Sequence, residues 1–290
     1  MYNYLSGKKM SQNPLSQYFR KPIMHIELPS SAKYYAKGVL TLAESGDIPI
    51  YPMTALDEIT YKTPDALFNG SAVANVIRSC IPAISDPWQI PTIDLNLLLT
   101  AIRIASIGSD MEIESTCPKC EDVADYNIDL RILLDNPPDT SLYDEPILIG
   151  DLEVFFHPLT YKQVNENNKH QFNDAQLQRA LADDNVPEDT KLTLLSSAFE
   201  KIAELTFDSM TKSLKYIKTP DEIVDDKKFI REFLTNIDGD AFNTLKARLI
   251  ELKKLEDLDD LPIQCSNEKC LHEYKQPFTL DMTHFFERNS

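Results

Sequence analysis

Hydrophobic positions change their period several times along this chain. Pro22-Ile-Met-His-Ile-Glu-Leu28-Pro29-Ser30 alternates apolar and polar residues between prolines, the pattern of a strand at a sheet edge. Gly38 to Leu42 and Ile48 to Pro52 continue this extended start. Helical spacing follows. Thr54 can cap a short helix with Asp57 and Glu58 in its first turn. Thr63-Pro64 offers a second cap with Pro at the first helical position. Gly70 to Ile81 carries apolar residues at helical intervals until Pro82 stops it. Asp94 to Ala105 is apolar almost all round, which predicts a buried helix.

Alternation then returns in Met111–Thr116 and again around Tyr126, Ile128 and Leu130. Asn136-Pro137-Pro138-Asp139 is a break, and Ile147–Phe156 predicts a hairpin turning at Gly150-Asp151. From Thr160 to about Leu261 the pattern is helical and acidic. A long amphipathic helix is expected from Asn185-Val-Pro187 through Leu205 and Phe207, with Phe199, Ile202, Leu205 and Met210 read as core positions. Thr219-Pro220-Asp221-Glu222 predicts another helix start, and Asp240 to Leu255 a further helix, with Asp238-Gly239-Asp240 as its turn and cap. Residues Met1 to Lys21 are polar and show no period.

Four cysteines give this order of elements its chemistry. Cys117-Pro118-Lys119-Cys120 and Cys265-Ser266-Asn267-Glu268-Lys269-Cys270 each follow an expected strand, and they stand half the chain apart. A Cys-turn-Cys knuckle sets two thiolates about one tetrahedral edge apart, so two knuckles complete a four-sulfur zinc site. Similar sequence follows both: an aromatic, Tyr126 or Tyr274, then alternating apolar positions, as in a zinc-ribbon hairpin. Four thiolates leave no open coordination position, so the expected metal is a structural Zn2+ held by Cys117, Cys120, Cys265 and Cys270. Reduced cysteines in turns and two disulfides are the alternatives. His272 and His284 stand by as reserve ligands, and Cys80 reads as a buried small hydrophobe.

The expected fold is therefore α+β, mainly helical with short β-hairpins, and with a split zinc-ribbon-like module joining the middle of the chain to its C-terminus. Residues 1–21 form an extended N-terminal arm and 22–160 an α+β domain with the first cysteine pair. Residues 161–261 form a helical region, and 262–290 carry the second pair back onto the first.

Charge and motifs narrow the function. The chain has 290 residues, 46 acidic against 29 basic, for a formal net charge of −17. That balance opposes a phosphate backbone as partner, and no basic stripe with interleaved aromatics appears, so no nucleic acid is expected. No apolar run is long enough to insert in a membrane. Cysteine knuckles without a hydrophobic leader point to a reducing compartment. No GxGxxG, Walker loop, HExxH or GxSxG is present among these residues. Acidic doublets such as Asp183-Asp184, Asp225-Asp226 and Asp259-Asp260 read as solvated helix ends. Trp88, in a proline-flanked loop, reads as packing on the chain's own helices, with an exposed anchor for a partner as the alternative. No enzyme is expected.

The run from Tyr51 to Pro82 resembles the baseplate hub proteins of T4-like contractile-tailed bacteriophages. It holds a short helix with Thr54-x-x-Asp57-Glu58, a proline, and a helix ending at Cys80-Ile81-Pro82. Ile93 to Glu112 then leads into Cys117-Pro118-x-Cys120 and a hairpin ending Ile128-Asp129-Leu130. The similarity covers Ile50 to Leu159, weakens through the helical region and recovers from Cys265 to Asp281. It implies a structural protein of the virion tail baseplate, present in the host cytoplasm during assembly. The implied partners are other baseplate and tail proteins, with self-association in a symmetric ring. A hub assembly chaperone absent from the mature virion is the nearest alternative. A zinc-ribbon nucleic-acid-binding regulator and an open-site zinc enzyme are the alternatives from other classes.

Overall fold

A computed structural model describes residues 13–63, 70–168, 188–258, 260–280 and 285–286. The described chain is α+β, with small antiparallel sheets set among helices.

The expected edge strand is present. β1 (Met24–Ile26) pairs antiparallel with β2 (Ile48–Ile50), and Ile26, Ile48 and Ile50 are buried beneath them. Thr54 caps α1 (Ala55–Tyr61) in a reciprocal capping box with Asp57. The proposed helix start at Thr63-Pro64 runs into residues outside those described. α2 (Ser71–Cys80) buries Ala72, Val73, Val76, Ile77 and Cys80 on one side. Gly70 precedes it with φ of 76°, and a Cβ there would lie 2.6 Å from Asn165 Oδ1 and 2.7 Å from the Tyr161 hydroxyl. Only glycine admits that close approach of α2 to the helix at 161–168.

α3 (Thr92–Ser106) is the pillar of the fold. Most of it is buried: Leu97, Leu98, Leu99, Ala101 and Ile102 sit in the main core, while Ile93 belongs to a second core. Its polar residues tie it at both ends. Asp94 accepts from the Ser30 amide at 3.0 Å and from the Ser30 hydroxyl. Arg103 donates to the Gly108 carbonyl at 3.3 Å and the Asp110 carbonyl at 3.4 Å, where the chain leaves for β3.

Burial pushes the Asp94 carboxyl up to about 6, against the lowering effect of its Ser30 donors. A pKa raised from about 3.9 means that the folded state holds the proton more tightly. Stability from this group is full below about pH 4 and is lost as pH rises through 6. Relative to Asp94→Asn, the parent should therefore lose on the order of 2–3 kcal/mol between pH 4 and 6.5. Urea unfolding of both proteins across that range checks this, and parallel curves contradict it.

The β3 (Asp110–Thr116) and β4 (Val123–Asp129) hairpin follows α3, in register from Asp110↔Asp129 to Thr116↔Val123. A short α4 (Arg131–Asp135) ends at the expected proline break. β5 (Ile147–Ile149) and β6 (Leu152–Phe156) form the expected hairpin, with Gly150 at φ 58° in its turn. A helix, α5, occupies 161–168, and α6 (Glu188–Ser213) resumes after the undescribed segment.

The region expected to be wholly helical is not. α6 runs straight into β7 (Leu214–Lys218), which pairs with β6 on one side and β8 (Ile223–Val224) on the other. Thr219-Pro220-Asp221-Glu222 is the turn between those strands instead of a helix start. The Thr219 hydroxyl accepts from the Asp221 and Glu222 amides at 3.2 and 2.9 Å, and its amide donates to the Glu222 carbonyl. That side-chain-to-backbone chemistry serves a turn as well as a helix cap. The β-branched Ile223-Val224 that follows settles it as a hairpin. α7 (Lys227–Asn236) and α8 (Gly239–Glu256) are capped by Asp226 and Asp238. Along α6, Met210 is buried in the second core, Leu205 is half-buried, and Ile202 is exposed, so the expected core face holds only in part. The side chain of Phe199 lies outside the described residues.

The chain end returns to the main core. β9 (Leu261–Gln264) and β10 (Glu273–Gln276) form the last hairpin. Phe278, Phe285 and Phe286 then enter the cluster built by α2 and α3. Phe286 meets Tyr61 edge-on at 4.9 Å and Phe285 at 5.1 Å.

Candidate metal centre

The hairpins β3–β4 and β9–β10 each carry a cysteine loop at one end, and the fold brings the two loops together. The sulfurs of Cys117, Cys120, Cys265 and Cys270 all lie within 4.8 Å of one another. Cys117 Sγ stands 3.9 Å from Cys270 Sγ, and Cys120 Sγ 3.5 Å from Cys265 Sγ. Four sulfurs about 2.3 Å from a central ion have tetrahedral edges of about 3.8 Å. The donor set therefore fits a tetrahedral thiophilic ion.

The loops share their construction. Each opening cysteine donates its amide to the carbonyl two residues past the closing one: Cys117 to Asp122 and Cys265 to His272, both at 2.9 Å. The residue after each closing cysteine has positive φ, Glu121 at 59° and Leu271 at 46°. These bonds make the C-x4-C loop equivalent to the C-x2-C loop despite its two extra residues. Those extra residues are absorbed in a turn where the Cys270 and Leu271 amides both donate to the Asn267 carbonyl.

Backbone amides also point at the sulfurs. Burial pushes the Cys117 thiol up, but amides of Cys120 and Lys119 and the neighbouring thiols outweigh it and hold the group at about 7. Cys120 receives the Asp122 amide, yet desolvation and the three other sulfurs push it up to about 12. Burial likewise raises Cys265 against the Asn267 amide. The sulfurs repel one another's charge, and a dication among them would remove that penalty. Cys117 and Cys265 are buried, Cys270 is half-buried and Cys120 is exposed.

Polar contacts between the hairpins surround the centre. The Ser115 hydroxyl lies 2.9 Å from the Tyr274 hydroxyl and donates to Gln276 Oε1 at 2.6 Å. The Tyr126 hydroxyl accepts from the Ser266 amide at 3.2 Å. Each tyrosine of the echoing sequences thus reaches the opposite hairpin. Ser115 and Gln276 had no sequence signal beyond their place in alternating strands.

The remaining candidates stand apart from the sulfurs. His272 contributes its carbonyl to Cys265, and its ring stacks with Tyr274 at 6.2 Å. His284 lies outside the described residues. Cys80 is fully buried in the main core, where burial pushes its thiol up to about 12. Trp88 stacks on Tyr161 at 5.2 Å. Asp226 is occupied as a helix cap, while Asp183, Asp184 and Asp259 lie outside the described residues.

Arg20, in the segment expected to be a free arm, is bound to the folded body. It donates to the Ser79 carbonyl and hydroxyl at 2.7 and 2.8 Å and to the Pro52 carbonyl, and it lies 3.5 Å from Asp57. Residues before it present Leu15, Tyr18 and Phe19 to solvent.

No described helix is long and apolar enough to cross a membrane. A family model described as T4 bacteriophage base plate protein matches residues 28–287. Comparison with curated proteins and with solved structures gives no match.

Proposed function

The chain belongs to the T4 bacteriophage base plate protein family, and from that premise we propose that it is a structural part of the baseplate hub in a contractile tail, stapled by one zinc ion. The observation that carries the zinc reading is the meeting of two cysteine loops, 145 positions apart at Cys120 and Cys265, in a cluster of tetrahedral dimensions. Cys117, Cys120, Cys265 and Cys270 would hold the ion, whose contribution is to bond the two hairpins together. All four coordination positions are then filled by protein, which suits architecture and leaves none for substrate. We read the chain as having no catalytic role.

Its partners on this reading are other baseplate and tail proteins, with self-association in a ring. The N-terminal arm is one contact. Besides Arg20, which the body holds, residues 1–21 carry Lys8, Lys9 and Lys21 and no acidic residue, in a chain of net charge −17. Aromatic and cationic side chains together give contact area and electrostatic orientation. The family match begins after this arm.

Purified particles test the reading. Mass spectrometry of complete virions should detect the chain, and its absence from them would favour a chaperone that leaves the hub. Deleting residues 1–12 spares Arg20, so the body should stay folded and metal-loaded while incorporation into particles falls. Unchanged yield and composition would remove residues 1–12 from the proposal.

A further inference from the structure

We propose that the four-cysteine centre is a redox-sensitive staple, which a peroxide converts from a metal site into two disulfides running between the hairpins, Cys120–Cys265 and Cys117–Cys270. The inference rests on the zinc reading and adds what becomes of the staple when its sulfurs are oxidised.

Two sulfur pairs meet in hydrogen-bonding geometry, at 3.5 and 3.9 Å. Both cross from one hairpin's loop to the other's. Exposure then orders the chemistry. Cys120 is the exposed member, while Cys117 and Cys265 are buried. A small oxidant therefore reaches Cys120 first. The Cys120 sulfur attacks one peroxide oxygen, the O–O bond breaks, hydroxide leaves and a sulfenic acid remains. The Cys265 sulfur then attacks the Cys120 sulfur. The S–S bond forms, the S–O bond breaks and a second hydroxide leaves. One peroxide has taken two electrons from two thiolates. Cys117 and Cys270 repeat the sequence with a second peroxide. No thiolate remains to hold a dication, so the ion is released.

The direction of pairing decides the structural outcome. Disulfides within each loop would release the two hairpins from each other. Disulfides across the loops keep the same hairpins joined, now covalently, and close a long segment of chain. The staple would thus outlast its metal.

The full-length, zinc-loaded protein, titrated with hydrogen peroxide, tests this. Three readings are taken: zinc release to a chromophoric indicator, non-reducing peptide mapping, and the melting temperature. The expected result is full zinc release at about two equivalents of peroxide, with cross-linked peptides Cys120–Cys265 and Cys117–Cys270. The oxidised protein should melt above the same protein stripped by a chelator under reducing conditions, and dithiothreitol should abolish that difference. In Cys120→Ser the first cross-link is lost and release slows. If that variant does not fold, the parent's peptide map still decides. Peptides joined within a loop, sulfinic acid at Cys120 as the main product, or cross-links between molecules would overturn the proposal. Protein that carries no zinc as purified and cannot be loaded with it would contradict the zinc reading alone.

Discussion

Cys117→Ser and Cys265→Ser are each expected to lose on the order of 5 kcal/mol or more of folding stability. Structural zinc contributes about 10–16 kcal/mol of apparent binding free energy in small zinc-binding folds, and it becomes folding free energy when only the folded chain presents the site. Here the site exists only when the middle and the end of the chain meet, so that condition holds. Both residues are buried, so a serine hydroxyl at either position also enters a site built for sulfur. Denaturant unfolding of the variants, set beside parent protein stripped by a chelator, checks the cause. The stripped parent and the variants should have similar midpoints, well below the loaded parent. A variant as stable as the loaded parent would show that the cluster does not bear the fold.

Phe285→Ala is the second large expected effect, about 3–5 kcal/mol. Phe285 is 1 % exposed and packs against Phe286 in the main core, with Phe286 in turn against Tyr61 on α1. Removing the ring leaves a cavity in the main core. The centre itself is built by hairpins, so the variant should still bind one metal per folded chain. Chemical denaturation together with metal analysis separates the two. Loss of metal from a folded Phe285→Ala protein would mean that the chain end and the cysteine loops are one cooperative unit.

Much of this architecture was legible where local chemistry decides it. Thr54 and Asp57 write their own capping box, Gly150 marks its own turn, and a helix as apolar as α3 has to be largely buried. The cysteine loops were legible for a similar reason: short loops with sulfurs at both ends have few uses. The strand β7 was not, because Leu214-Lys-Tyr-Ile-Lys continues a long helix without a break and takes its conformation from pairing with β6. Thr219-Pro220 misled because its hydrogen-bonding chemistry is common to turns and helix starts. Arg103, Ser115 and Gln276 were invisible for a third reason. Their partners lie elsewhere in the chain, and nothing in the spacing around an arginine or a serine announces a carbonyl or hydroxyl brought to it by folding. The equivalence of the two loops needed the backbone, since two extra residues hide it in the sequence.

The zinc staple is the central proposal for this chain, and X-ray absorption of the metal in protein purified from a reducing host tests it most directly. The account predicts a zinc edge with four sulfur neighbours at about 2.3 Å and no nitrogen or oxygen in the first shell. A spectrum dominated by nitrogen or oxygen neighbours, or protein that carries no metal, would contradict it.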